Sequence, residues 1–312
     1  MNRVAARVFI LLFLTLAAAG CLSAPAVGQT AAPTLPNPPT FTYPPPPPAI
    51  DSTRRLILDG FERTYLLHVP SGTSARTPVA LVLVFHGHRM SGESLRAASG
   101  FNAIADTNKF LVAYPNGTGT AGAMSFNAGL CCGAAVANHV DEAEFVRRIL
   151  ADLGGSFTID PARVYAAGFS NGAMLAYRLA CEMSETFAAA APVAGNLAFG
   201  PCQPRKGLSL IHIQGLSDIS IPYSDDDLEP DSNPDILSVE RSVAFWASVD
   251  GCSNFPALDQ EGIVTRTIYS SCAGGTSVML YSLKGVGHTW PPDAVFPASQ
   301  TIWDFFSAHP KQ

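Results

Sequence analysis

The chain has 312 residues, of which 47% are hydrophobic and 14% are charged, and its net charge at pH 7 is -6. This apolar content is enough for a sizeable core and excludes a wholly disordered chain. An acidic balance without a strong basic patch argues against nucleic acid as a partner.

Residues 1–28 are predicted to be a secretory signal peptide. Arg3 and Arg7 precede an apolar run at residues 8–19, which is too short to span a bilayer. Two processing routes stay open. Residues 18–21 resemble a bacterial lipoprotein box, in which Cys21 is lipidated and anchors the protein at the cell surface, whereas cleavage after Gly28 releases a free protein.

Residues 29–49 are predicted to be a proline-rich linker. They are small and polar and include five successive prolines at positions 44–48, which favour extended polyproline II and hence a semi-rigid spacer. A leader without a specific role is equally compatible, and a ligand for a partner domain is the least favoured reading. The catalytic domain is expected to occupy residues 50–312.

From residue 50 onward, strand-like runs alternate with helix-like runs. Strands are predicted at residues 54–58 and 63–69, joined by an Asp-Gly turn, and at 78–85, 110–114, 163–168, 187–193, 208–214, 263–270 and 278–283. Helices are predicted at residues 91–108, 141–153, 171–181, 239–249 and 299–308, with a loop at 115–132. Such alternation predicts an α/β fold, a mostly parallel sheet with helices on both faces.

Ser170 lies between one of these strands and the helix that follows it. Gly168-Phe169-Ser170-Asn171-Gly172 fits the G-x-S-x-G nucleophile elbow, a sharp strand-to-helix turn that exposes a serine. A side chain at either flanking glycine would collide with the neighbouring strand or helix. The pattern therefore predicts a nucleophilic serine.

A serine hydroxyl needs a base, and the base needs an acid that orients it. In α/β-hydrolases both follow the serine along the chain, on loops after later strands. Asp218 follows the strand predicted at residues 208–214, and His288 follows the one at 278–283. Both are expected at the carboxyl ends of parallel strands, where α/β sites are built.

The remaining histidines have other interpretations. His68 and His212 lie inside predicted strands and are interpreted as core residues, while His139 stays an alternative base although it precedes the serine. His86 and His88 lack a third ligand at a convincing spacing, so no metal site is predicted. No cofactor is expected.

Acyl transfer also needs hydrogen-bond donors for the oxyanion of the tetrahedral intermediate. The backbone N–H of Asn171, next to the serine, is the first candidate. The second is the backbone N–H of His88, in the loop after His86-Gly87, where glycine lets the backbone approach the site. His86 is then a structural residue that shapes this loop.

Residues 62–291 resemble the secreted esterases of the poly(3-hydroxybutyrate) depolymerase and feruloyl esterase group of the α/β-hydrolases. The motifs that carry this resemblance are Arg63-Thr64-Tyr65 with Val69-Pro70, His86-Gly87, Tyr114-Pro115, Cys131-Cys132-Gly133, Val140-Asp141, the Ser170 pentapeptide, Asp218 with Ile221-Pro222-Tyr223, and Gly287-His288-Thr289-Trp290-Pro291.

The resemblance implies that Ser170 is the nucleophile, His288 the general acid and base, and Asp218 its orienting partner. His88 and Asn171 match the oxyanion positions. It also implies that Trp290 lies near the site, where it can contact an acyl chain or a phenolic ring; core packing is the alternative.

Two departures from the family pattern affect substrate choice. His88 stands where cysteine is common in secreted depolymerases, and Gln214 stands where histidine is common before the acid loop. A hydroxyalkanoate polyester or its oligomers is the favoured substrate, and a feruloyl or acetyl ester on plant polysaccharide is the alternative. A catalytically inactive binding protein on the same fold is the rival of another class.

Six cysteines remain when Cys21 is set aside, and an exported chain favours disulfides. Cys181 is expected to pair with Cys202 and Cys252 with Cys272. Cys131 and Cys132 form a vicinal disulfide or stay as thiols, and the even count favours the disulfide. The protein is expected to be a monomer.

Overall fold

The computed structural model describes residues 49–58 and 60–312. The predicted signal peptide, Cys21 and the predicted linker up to residue 48 lie outside the described residues. Within the described part of the chain, no helix is long and apolar enough to cross a membrane.

Ten strands form one sheet in the described region, with the spatial order β1-β2-β4-β3-β5-β6-β7-β10-β9-β8. The strands are β1 (Ile50–Leu58), β2 (Phe61–Val69), β3 (Val79–Phe85), β4 (Leu111–Pro115), β5 (Ile159–Phe169), β6 (Ala189–Val193), β7 (Ser209–Gly215), β8 (Ala257–Glu261), β9 (Val264–Tyr269) and β10 (Val278–Leu283). The helices are α1 (Gly92–Ser99), α2 (Phe101–Asn108), α3 (Gly133–Ala137), α4 (Glu142–Gly154), α5 (Asn171–Glu182), α6 (Val239–Val249) and α7 (Ala298–Ala308).

The six central strands, from β4 to β10, are parallel to one another, and the pairs at both edges are antiparallel. Every residue of β3, β4, β6 and β7 is buried, which is why these segments read as continuous apolar runs and not as alternating ones. The prediction of a mostly parallel α/β sheet is confirmed.

Helices cover both faces of the sheet. One core lies between the sheet and helices α4, α5 and α6, and its largest fully buried side chain is Trp246. The other core lies beneath α1, α2 and α7, where Trp303 stacks on Phe110 with ring centroids 3.8 Å apart. The sheet is therefore held between two packed layers of helices, one on each face.

The structure differs from the predicted elements in three places, and one of them is helix α3 (Gly133–Ala137), which was not predicted. The helix predicted at residues 91–108 is two helices, because Gly100 adopts a left-handed conformation (φ 63°) that ends α1. Strand β8 was not predicted, because each of its five residues is exposed and the segment has no apolar alternation.

The six cysteines of the described region form the three predicted pairs: Cys131 with Cys132, Cys181 with Cys202, and Cys252 with Cys272. The second pair joins the end of α5 to the segment after β6. Such cross-links are typical of proteins from an oxidising compartment, and closing loops of about 20 residues contributes on the order of 3 kcal/mol each.

Helix α5 begins directly after β5 and lies against the end of β3. A Cβ atom at Gly172 would overlap the carbonyl oxygen of Phe85, and a Cβ at Gly168 would overlap the carbonyl oxygen of Gly172. Main-chain atoms therefore touch directly at both positions, and neither position has room for a side chain.

We expect Gly172→Ala to lower the free energy of unfolding by at least about 2 kcal/mol, because the new methyl group must displace main-chain atoms. Urea denaturation followed by circular dichroism measures this. Gly154→Ala is the matched control, since a Cβ there has no neighbour within 4 Å, and it should change stability by less than about 1 kcal/mol. Equal stability of the two variants would contradict the close crossing.

Candidate active site

Ser170 occupies the turn between β5 and α5. Its backbone has φ 54° and ψ -117°, a region that L-residues rarely adopt, and its N–H donates to the carbonyl of Val193 at 3.0 Å. Strained residues of this kind cluster at functional sites, where the surrounding structure holds them. Here β6 and the two glycine contacts hold Ser170 in place.

Three side chains from distant parts of the sequence form one hydrogen-bonded row. The Nε2 atom of His288 lies 2.9 Å from Oγ of Ser170, and its Nδ1 atom lies 2.8 Å from Oδ2 of Asp218. Asp218 follows β7 and His288 follows β10, which are adjacent parallel strands, so both side chains emerge at the same sheet edge as Ser170. The imidazole can thus take a proton from the serine while the carboxylate fixes its orientation.

The Asp218 side chain is only 1% exposed, but its carboxylate accepts several hydrogen bonds. Burial by itself raises the pKa of this carboxyl, and the hydrogen bonds from His288, from the Ser220 N–H at 2.8 Å and from Gln214 at 2.9 Å outweigh it, so the pKa lies below its usual value. Asp218 is therefore ionised at neutral pH and accepts a hydrogen bond from Nδ1–H of His288.

Two backbone N–H groups adjoin the serine. Within the described residues, neither the N–H of Asn171 nor that of His88 donates to a protein acceptor. The loop that carries His88 passes close to the serine. A Cβ atom at Gly87 would lie only 3.3 Å from the Cβ of Ser170. Both groups are available to an oxygen atom that develops negative charge beside Ser170.

His86 holds this loop from beneath. It is fully buried; its Nδ1–H donates to the carbonyl of Gly87 at 2.7 Å, and its Nε2 accepts the N–H of Gly117 at 2.9 Å. Burial lowers the pKa of His86 to about 4, so the ring is neutral and can act as donor and acceptor at once. This geometry agrees with the structural role expected for His86.

The Asn171 side chain joins the elbow to the neighbouring loop. Its Oδ1 accepts the N–H of Phe126 at 2.8 Å, and its Nδ2 donates to the carbonyls of Phe126 at 3.0 Å and Cys131 at 3.3 Å. The motif predicted only a backbone role for this residue. The partners lie 40 and 45 positions away, so sequence spacing carries no signal for them.

A buried ion pair joins strand β2 to the start of helix α4. Arg63 Nη2 lies 2.9 Å from Oε2 of Glu142, and the other carboxylate oxygen accepts the N–H of Asn127 at 3.1 Å. Both side chains are less than 10% exposed. Burial raises the pKa of Glu142, and the charge and hydrogen bond of Arg63 oppose that shift without cancelling it.

Trp290 is largely buried in the loop after β10. It is 5% exposed, packs against Phe101 with ring centroids 5.9 Å apart, and donates its indole N–H to Ser299 at 3.1 Å. Its side chain is thus satisfied inside the core beneath α7. These contacts favour core packing, the alternative interpretation, and the expected substrate contact stays a prediction.

The other histidines lie apart from the serine. His68 and His212 are buried with hydrogen-bond partners, as expected for core residues, and His139 is exposed in the loop before α4. In the described region, no group of three or more His, Cys, Asp or Glu side chains could hold a metal ion.

Comparison with known proteins gives the family. Residues 63–213 match the family model described as Esterase PHB depolymerase. NocK of Nocardia uniformis subsp. tsuyamanensis, which is named as an esterase, is 31% identical over 269 residues, covering 78% of this chain and 76% of NocK.

Feruloyl esterase B of Piromyces equi is 26% identical over 233 residues, covering 72% of this chain, which in turn spans only 42% of that relative. The solved acetyl xylan esterase from Aspergillus awamori has the same fold, with a TM-score of 0.58 and 15% identity over 82% of this chain and 99% of that one.

The carboxyl edge of the sheet holds a serine, a histidine and an aspartate in one hydrogen-bonded row, on a fold shared with esterases. This chain belongs to the family of esterases described as Esterase PHB depolymerase, and it has an α/β-hydrolase fold.

Proposed function

We propose that the protein is an exported serine esterase that cleaves carboxylic esters through an acyl-enzyme intermediate. The observation that carries this proposal is the continuous row of hydrogen bonds from Ser170 Oγ through His288 to Asp218, with distances of 2.9 and 2.8 Å.

In the first step, Oγ of Ser170 attacks the ester carbonyl carbon while Nε2 of His288 accepts the hydroxyl proton. The ionised Asp218 holds the ring in the tautomer that leaves Nε2 free and stabilises the imidazolium that forms. His288 then gives the proton to the departing alcohol. The acyl group stays on Ser170.

In the second step, a water molecule loses a proton to Nε2 of His288 and attacks the acyl carbon. The carboxylic acid leaves as Ser170 regains the proton. In both steps the carbonyl oxygen becomes an oxyanion, which accepts hydrogen bonds from the N–H groups of His88 and Asn171. The loss of one such donor costs on the order of a hundred- to a thousandfold in rate.

For the substrate we propose a hydroxyalkanoate polyester or its soluble oligomers, supported by the family model that the chain matches. A feruloyl or acetyl ester of plant polysaccharide is the second candidate, supported by the similarity to feruloyl esterase B. Both are neutral esters that the same chemistry cleaves, so the choice depends on binding and not on the triad.

Ser170→Ala should lower kcat on p-nitrophenyl butyrate by at least about a thousandfold, because no nucleophile remains, while KM changes little. Steady-state kinetics on the purified variant measures this. Ser156→Ala, which replaces a serine in the loop after α4, is the control and should keep the full rate. A Ser170→Ala enzyme as active as the parent would refute the mechanism, and an inactive parent would favour the binding-protein rival.

The substrate class is tested by kcat/KM on 3-hydroxybutyrate oligomers and on methyl ferulate, each normalised to p-nitrophenyl butyrate. We expect the value for the oligomers to be at least about tenfold higher, a difference that a few well-placed contacts can produce. A tenfold preference for methyl ferulate would instead establish the second candidate.

Export is proposed from the apolar amino-terminal segment and is consistent with the three disulfides. Mass spectrometry of the mature amino terminus separates the two processing routes. An unmodified Gln29 at the terminus indicates release of a free protein, and a diacylglycerol-modified Cys21 indicates a lipid anchor. A mature protein that still begins at residue 1 would contradict export.

A further inference from the structure

Behind the triad carboxylate lies a row of buried polar side chains that the proposed mechanism does not use. Gln214 Nε2 lies 2.9 Å from Oδ2 of Asp218, the same oxygen that faces His288. Gln214 Oε1 lies 3.3 Å from Nε2 of His212, and Nδ1 of His212 lies 2.9 Å from the hydroxyl of Tyr177.

The hydrogen-bond directions in this row follow from the negative charge of Asp218 at one end of it. An ionised carboxylate only accepts hydrogen bonds, so the amide nitrogen of Gln214 must face Asp218 and its oxygen must face His212. His212 must then carry its proton on Nε2. Its Nδ1 is therefore an acceptor, and the hydroxyl of Tyr177 donates to it.

Burial agrees with this assignment. Tyr177, His212 and Gln214 are completely buried, so each of their polar atoms needs a partner inside the protein. Burial lowers the pKa of His212 to about 4 and raises that of the Tyr177 hydroxyl well above its usual value, so both groups are neutral at the pH of an assay. The row is thus uncharged, and all its donors point towards Asp218.

We propose that Gln214 is a positioning residue for the catalytic acid: supported from behind by His212 and Tyr177, it holds the Asp218 carboxylate in the orientation that receives Nδ1 of His288. The inference rests on the proposed triad. Without Gln214, Asp218 would keep the Ser220 and Ile221 N–H groups on Oδ1 and only His288 on Oδ2.

Gln214→Met tests this role because methionine has nearly the same length and volume as glutamine but cannot donate a hydrogen bond. We expect kcat on p-nitrophenyl butyrate to fall about ten- to a hundredfold, with KM changed less than about twofold, since the carboxylate and not the substrate contact is disturbed. A kcat within twofold of the parent in a folded variant would overturn the proposal.

Gln214→Glu gives a readout that a merely structural role would not move. The new carboxyl would face Asp218, and two adjacent carboxyl groups share one proton. At low pH this proton serves as a hydrogen-bond donor towards Asp218. As the pH rises the proton is lost, and the donor is lost with it. The titratable side chains that contact this pair are His288 and His212. We expect kcat to decline with rising pH in this variant over a range in which the parent is flat. A profile parallel to that of the parent would contradict the proposal.

The contribution of Tyr177, which lies at the end of the row farthest from Asp218, is tested by removing its hydroxyl. Tyr177→Phe should lower kcat about two- to fivefold, because His212 loses its donor. Tyr165→Phe is the matched control, since the Tyr165 hydroxyl is also buried but has no hydrogen-bond partner in the described region, and its loss should leave kcat unchanged. Equal rates in both variants would exclude a contribution from Tyr177.

Failure of this inference is distinguishable from failure of the proposed function. If Ser170→Ala is inactive and Gln214→Met keeps the full rate, the triad stands and the positioning role is wrong. If Ser170→Ala keeps the rate of the parent, the triad itself is wrong, and the positioning role falls with it.

Discussion

The close contact between the start of helix α5 and the end of strand β3 is the constraint on which the site depends. Because Gly172 meets the carbonyl of Phe85 without an intervening side chain, the chain must turn sharply after β5. That turn gives Ser170 a positive φ of 54° and leaves the Asn171 N–H at the free end of a helix. The proposed nucleophile and one proposed oxyanion donor are thus set by the same backbone geometry.

The polar groups around this turn are kept in one protonation state by burial and by partners. His86 and His212 are neutral because they are buried, whereas Asp218 stays charged because its hydrogen-bond donors outweigh the cost of burial. His288, whose side chain is 25% exposed, and the partly exposed Ser170 are open to solvent, whereas the Asp218 side chain is buried.

The sequence was sufficient for the parts of the site that lie on motifs. The order serine, aspartate, histidine, each after an apolar run, located Ser170, Asp218 and His288 because parallel strands bring their carboxyl ends to one edge. The contacts among side chains were not predictable, since Asn171 and its partner Phe126 are 45 positions apart. The packing of Trp290 was not predictable for the same reason: its motif neighbours His288, but its ring packs against Phe101 and Ser299.

The central claim is that Ser170 forms a covalent acyl-enzyme, and labelling with a fluorophosphonate followed by peptide mass spectrometry tests it most directly. Such reagents react with a serine that a neighbouring histidine activates. The account predicts a single adduct on the peptide that contains Ser170, and its absence in His288→Ala. An adduct on another residue, or labelling of Ser170 that is unchanged in His288→Ala, would contradict it.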